Sequence, residues 1–195
     1  MSSMIKNRLK LIFITVLFAL PVMTAWYVYK NPELLEGAKT KNYGELISPA
    51  IPTTLGDYFI AGDADVSHLK GRWMAWHIDL DGRCDEACGQ SVHMMRQLHV
   101  LLNKDSGRLH RIYLDKADAA RGTTKPELAE DKELTIFVWQ QMHADTLKGL
   151  VPNLLDGDIL LFDPLGNLMM RYQQGADPYG IKKDLKLLFK ASQIG

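Results

Sequence analysis

Trp73-Met74-Ala75-Trp76-His77-Ile78-Asp79-Leu80, followed by Asp81-Gly82-Arg83-Cys84-Asp85-Glu86-Ala87-Cys88-Gly89, is the stretch from which the rest of the chain can be read. The first run lacks clean alternation, as expected of a central strand covered on both faces. Asp81-Gly82 ends it. A helix is predicted over Gln90 to Asn103, in which Cys88, Val92, Met95 and Leu102 share one stripe. Cys84 and Cys88 are the only two cysteines in the chain. If the helix starts near Cys84, their spacing places both sulfurs on one face, one turn apart, within reach of a disulfide or of one metal ion.

Downstream, Asp105-Ser106-Gly107 closes the helix and Leu109 to Leu114 reads as the next strand, joined by a right-handed crossover. Asp115 to Glu133 is charged and contains Gly and Pro, so a loop is expected there, with a helical turn around Pro126 to Asp131. Leu134 to Trp139 is β-branched and aromatic, hence a strand, followed by a helix over Ala144 to Leu150. Ile159 to Phe162 and Leu168 to Tyr172 flank Asp163-Pro164-Leu165-Gly166-Asn167, where Pro and Gly suit the second and fourth positions of a type I turn. These strands should form an antiparallel hairpin. The last helix has Asp177 as N-cap and Pro178 at its first position, with Ile181, Leu185 and Leu188 on one face. The order predicts an α/β sandwich with a mixed sheet.

Upstream, Asp57 to Ala61, a turn at Gly62 to Asp65 and Val66 to Leu69 read as a hairpin-like entry. Asn31 to Thr54, with Pro32, Pro49 and Pro52, reads as a spacer with little regular structure. Leu11 to Tyr29 holds no charged residue and is long enough to cross a hydrocarbon core. Lys6, Arg8 and Lys10 precede it, which places the N-terminus in the cytoplasm and the remainder outside. A cleaved signal peptide would share the charged start and apolar core. The length of the run and the lack of a small-x-small site favour a retained anchor in a bacterial inner membrane, with the following domain in the periplasm. The expected organisation is therefore a cytoplasmic N-terminus over 1–10, a transmembrane anchor over 11–29, a periplasmic linker over 30–54 and one domain over 55–195. Formal net charge is zero, which excludes a general nucleic-acid binder.

The cysteine pair admits three chemistries. As a structural staple it closes so short a loop that it would stabilise by only about 2 kcal/mol. As a redox pair, Cys84 beside Arg83 is the nucleophile and Cys88, one turn in, the buried resolving thiol, with Asp85 and Glu86 opposing thiolate formation. As a metal site, two thiolates suit a soft ion such as Cu(I), with His77, His93, His143, Met94 or Met95 as further ligand. Zinc is disfavoured, because there is no second Cys or His pair at ligand spacing.

Arg72-Trp73 leading into Cys84-Asp85-Glu86-Ala87-Cys88, Asn42-Tyr43-Gly44-Glu45-Leu46-Ile47 after the anchor, and Asp163 through Arg171 with the Lys190 to Gly195 end together resemble the Sco/SenC family. These are membrane-anchored thioredoxin-fold proteins that help assemble the copper sites of cytochrome c oxidase. The match is closer to a small Sco-like branch found beside bacterial cytochrome oxidase genes. The resemblance implies a thioredoxin-like fold, a mixed central sheet flanked by helices behind one N-terminal transmembrane helix. Sco proteins bind copper through the two cysteines and a histidine just before the strand that enters the late hairpin. Here Asp156-Gly157-Asp158 stands there, with Asp158 at or near the histidine's place, and a carboxylate is a poor Cu(I) ligand. The cis-proline of ordinary thioredoxins is also lacking.

A role in cytochrome c oxidase biogenesis is thus expected. Thiol–disulfide exchange through Cys84 and Cys88 on an oxidase subunit or copper-delivery protein is preferred. A Cu(I) metallochaperone and a non-catalytic membrane-anchored assembly protein are the alternatives.

Overall fold

A computed structural model of the protein describes residues 3–31, 42–54, 69–116, 128, 131–192 and 194. They divide into two units, Met1–Lys41 and Asn42–Gly195.

The first unit is the helix α1 (Ser3–Lys30). Its segment Lys6–Lys30 has a mean hydropathy of 2.2 and is long and apolar enough to cross a membrane. The Thr15 and Thr24 hydroxyls donate to the carbonyls of Leu11 and Leu20, each at 3.0 Å, so both are satisfied within the helix, as an apolar solvent demands.

The second unit is built on six strands: β1 (Glu45–Pro52), β2 (Trp73–Ile78), β3 (Leu109–Lys116), β4 (Leu134–Trp139), β5 (Ile159–Phe162) and β6 (Asn167–Tyr172). Their order across the sheet is β1-β6-β5-β2-β3-β4. β2 runs parallel to β3 and β3 to β4, while β5 is antiparallel to both β2 and β6. The mixed sheet expected from the order of elements is therefore present. Among the described residues, the α-helices that accompany it with both ends described are α2 (Glu86–Leu102), α3 (Gln141–Leu150) and α4 (Pro178–Ala191).

Strand alternation sorts the core into two layers. Trp73, Ala75, Tyr113, Ile159, Leu161, Met170 and Tyr172 face α2 and α4, packing on Cys88, Met95, Leu98, Ile181 and Leu185. Met74, Trp76, Ile78, Leu160 and Phe162 face α3, where they meet Leu147 and Trp139. Every residue of β2 is buried, the pattern of a strand covered on both sides. The late hairpin turns as expected, with the Gly166 N–H donating to the Asp163 carbonyl at 3.0 Å. α4 starts on Asp177, whose carboxylate accepts the N–H groups of Tyr179 and Gly180 at 3.1 and 3.2 Å.

Two expectations are corrected. The spacer reading of Asn31 to Thr54 fails over Glu45–Pro52, which is the edge strand β1, paired antiparallel with β6. Its prolines are tolerated because an edge strand has one neighbour only, and Pro49 falls in the register break between Leu46 and Ile51. The start of β1 is tied to α4 by the buried Asp184, which accepts the N–H groups of Tyr43 and Gly44 at 2.9 and 3.0 Å. The second correction concerns α2, which begins at Glu86 and not at Cys84 or Gln90, because Asp85 caps it by accepting the Cys88 N–H at 3.0 Å. The hairpin-like entry expected over 57–69 lies outside the described residues except for Leu69, and the turn over 126–131 except for Leu128 and Asp131.

Candidate functional site

Six residues of loop, Asp79 to Cys84, separate β2 from the cap of α2, and backbone–carboxylate hydrogen bonds shape them. Asp79 accepts the Gly82 N–H, Asp81 the Arg83 N–H and Asp156 the Leu80 N–H, each at 2.6 Å. Gly82 takes a positive φ of 74°, a conformation in which a side chain would be strained. The loop delivers Cys84 to the start of α2, where it is joined to Cys88 in a disulfide with the Cα atoms 5.0 Å apart. The sulfurs are not equivalent. Cys84 is half-buried, whereas Cys88 is 2% exposed and packs in the layer between sheet and α2.

An open cleft of about 960 Å³ runs from Cys84 along α2 to the turn between β6 and α4, lined among others by Glu86, Gln90, His93, Met94 and Gln174. Its wall carries amide, imidazole and thioether groups beside the accessible sulfur. Behind the disulfide lies a buried polar column. The Tyr113 hydroxyl is 3.5 Å from Cys88 Sγ and donates to Asp79 Oδ2 at 2.7 Å. His77 stacks on the Tyr113 ring, with centroids 5.0 Å apart. Burial foremost, then the Asp79 carboxylate, push the Tyr113 hydroxyl far above the ordinary tyrosine range, so it remains a donor. Burial raises Asp156 as well, reinforced by Asp81 and Asp79.

The other residues singled out in the sequence separate clearly. His93 is exposed and Met94 nearly buried, and both line the cleft with Cys84. Met95 is fully buried in the core, and His77 sits behind Cys88 on β2. His143 is on α3, across the sheet, where its Nδ1 accepts the Gln140 N–H at 3.1 Å.

Asp158 is engaged elsewhere. Its Oδ2 accepts from Arg171 Nε at 2.7 Å and from the Leu155 N–H at 2.8 Å, and Arg171 reaches on to Glu45 at 3.3 Å. Ile159 and Tyr172 face α2, so by alternation Asp158 and Arg171 point to the opposite side of the sheet from the disulfide. Among the described residues, the one cluster of three His, Cys, Asp or Glu ligand atoms within 4.8 Å of one another is Asp79, Asp81 and Asp156. No such residue there completes a triad with the two sulfurs.

Sequence reasoning passed over Asp79 and Tyr113. A signal for Asp79 was present, since an aspartate ending an apolar central strand shares the parity of Trp73 and Ala75 and so faces the cysteine helix. Tyr113 carried no such mark, because its contact with Cys88 depends on the pairing of β2 with β3.

A family model described as transmembrane-like, thioredoxin-like, C-terminal domain matches residues 73–192. Among solved structures, the apo Sco1 protein of Thermus thermophilus aligns with a TM-score of 0.58 at 12% identity, over 75% of this chain and 96% of that one. The copper-bound ScoI of Arabidopsis thaliana aligns with a TM-score of 0.50 at 10% identity, over 65% and 89%. That of Bradyrhizobium japonicum, also with copper bound, gives 0.47 at 18% identity, over 62% and 87%. No curated protein sequence matches the chain. At these identities the likeness is one of fold, and the fold is thioredoxin-like, with one N-terminal apolar helix ahead of it.

Proposed function

The chain belongs to the transmembrane-like, thioredoxin-like C-terminal domain family, and from that premise we propose that it is a membrane-anchored thiol–disulfide exchange factor of cytochrome c oxidase biogenesis. Its periplasmic domain would act through Cys84 and Cys88 on an oxidase subunit or copper-delivery protein. The observation that carries this reading is the asymmetric disulfide at the head of α2, one sulfur half-buried beside an open cleft and the other buried beneath it. A staple has no need of that asymmetry, and exchange depends on it. The supporting context is the Sco-like fold together with the expected anchor.

In the reduced chain, the Cys84 thiolate attacks a sulfur of a target disulfide. The target's second sulfur leaves with the electron pair of the broken bond, and a mixed disulfide forms at Cys84. The Cys88 thiolate then attacks Cys84 Sγ, releasing the target's first sulfur as a thiolate. Two electrons pass to the target, and the chain is left with the Cys84–Cys88 disulfide seen here. An external dithiol must reopen it for the next cycle.

Copper is the weaker reading. Reduced, Cys84 and Cys88 supply two soft ligands, but Asp158 is held in an ion pair on the other side of the sheet. His93 and Met94 line the cleft beside Cys84, and among the described residues no His, Asp or Glu forms a ligand triad with the two sulfurs. The lack of a His, Asp or Glu triad partner for the two sulfurs among the described residues weighs against a three-ligand copper centre.

Trapping tests the proposal. Cys88→Ser in the full chain removes the resolving thiol, so a mixed disulfide between Cys84 and an oxidase subunit or copper carrier should accumulate in membranes and disappear with Cys84→Ser. Normal oxidase assembly in a Cys84→Ser/Cys88→Ser strain would instead establish a non-catalytic assembly factor.

A further inference from the structure

With the disulfide closed, the single proton of the Tyr113 hydroxyl goes to Asp79 Oδ2, 2.7 Å away, and not to Cys88 Sγ at 3.5 Å. A disulfide sulfur is a weak acceptor, so a carboxylate wins that proton without contest. Opening the disulfide reverses the balance. When a thiolate attacks Cys84, its electron pair forms the new S–S bond, and the electrons of the Cys84–Cys88 bond leave on Cys88. An anion then appears on a buried sulfur already in contact with the hydroxyl. Resting on the exchange reading above, we propose that Tyr113 is a catalytic residue of that exchange: its hydroxyl turns from Asp79 to the departing Cys88 thiolate, and Asp79 is the competitor that sets how readily it turns.

The surroundings permit the turn. Asp79 keeps the Gly82 N–H at 2.6 Å when the hydroxyl leaves, so its carboxylate retains a donor. Negative charge on Asp115 and Asp156 also bears on the hydroxyl, His77 covers the ring, and the Lys116 ammonium is held at the Leu80 carbonyl, 2.9 Å away. A neutral, firmly protonated tyrosine within 3.5 Å of Cys88 Sγ can donate a hydrogen bond to it without itself ionising. Leaving-group thiolates depart faster the better they are stabilised, so the hydroxyl accelerates opening. Asp79 acts against it, making the Cys88 thiolate costly and favouring the closed form. The reduced pair is thereby biased toward giving up electrons, which is the direction a reductant of target disulfides needs.

The two variants move in opposite senses. In the full chain held in detergent, the disulfide is opened with dithiothreitol, the free thiols are alkylated at intervals, and the equilibrium potential is read in parallel. Tyr113→Phe should open roughly tenfold more slowly, as expected for loss of one hydrogen bond to a charged group, and at a lower potential. Asp79→Asn keeps an oxygen acceptor for Gly82 and removes the competing charge, so it should open faster and at a higher potential than wild type. A Tyr113→Phe rate equal to wild type overturns the proposal, as does Asp79→Asn moving in the same sense as Tyr113→Phe. Should Tyr113→Phe fail to fold, the sign of the Asp79→Asn shift decides alone. A wild-type disulfide that never opens while the chain stays folded removes the exchange reading itself. One that opens while neither variant differs from it removes only the role of Tyr113.

Discussion

Replacing Asp158 by histidine restores on paper the residue that Sco proteins place near that position, and the structure predicts that the change damages the fold without creating a copper site. Asp158 and Arg171 form an ion pair at 2.7 Å with side chains 1% and 4% exposed, so the carboxylate is the principal compensation for a buried guanidinium. Removing one partner of such a pair costs about 3–5 kcal/mol. The Leu155 N–H, which donates to the same oxygen at 2.8 Å, loses its acceptor as well, for roughly 1 kcal/mol more. Glu45 cannot take over, since it is 60% exposed and a surface ion pair contributes about 1 kcal/mol at most. At about 2–4 °C per kcal/mol for a chain of this size, Asp158→His should melt about 10–20 °C below wild type, with Asp158→Asn between them because it keeps an acceptor. The assay is thermal unfolding of the full chain in detergent beside an anaerobic Cu(I) titration of the reduced protein against a competing chelator. A histidine on the far side of the sheet cannot reach the sulfurs, so Cu(I) affinity should equal that of wild type. An Asp158→His variant that keeps its melting temperature and binds Cu(I) more tightly would refute the reasoning, because it would place residue 158 beside the cysteines.

Other perturbations probe the frame that holds the site. Gly44→Ala would put a Cβ 2.5 Å from the Tyr172 ring, so the start of β1 should loosen at a cost of about 1–3 kcal/mol, read as a lower melting temperature. Asp177→Ala removes the N-cap of α4 and should cost about 1 kcal/mol in the same measurement. Arg111 holds the Asp131 carboxyl below its ordinary range by hydrogen bond and charge, against an opposing effect of burial. The unfolded chain therefore binds that proton at higher pH than the folded one does. The resulting stability is present above the ordinary aspartate range and is lost as pH falls through the lowered folded value. Asp131→Asn should be less stable at neutral pH, and its melting temperature should fall less steeply on acidification.

What was legible in the sequence was local. β2, β4 and the hairpin around Asp163 to Asn167 follow from apolar runs bounded by turn residues, and α4 follows from Asp177-Pro178. Cys84 and Cys88 were marked by their spacing. What was not legible depends on partners far along the chain. β1 contains Pro49 and Pro52 and becomes a strand only because β6, more than a hundred residues on, offers an edge. Asp158 reads only as a carboxylate at or near the place of the Sco histidine until the β5–β6 pairing brings Arg171 beside it. Tyr113 gains its place behind Cys88 from the parallel register of β2 and β3, in which it lies opposite His77. The anchor was marked by composition alone, and α1 has the length that composition called for.

The central claim is that Cys84 and Cys88 form a working dithiol, and their reduction potential in the full chain tests it most directly. Structural disulfides in exported proteins have potentials below about −300 mV, whereas exchange catalysts lie between about −120 and −270 mV. Equilibration in detergent against graded dithiol buffers, quenched by alkylation, should give a reversible two-electron transition inside the catalyst range, nearer its reducing end because Asp79 competes for the Tyr113 proton. A disulfide that stays closed below about −300 mV would contradict the account and leave the pair as a staple.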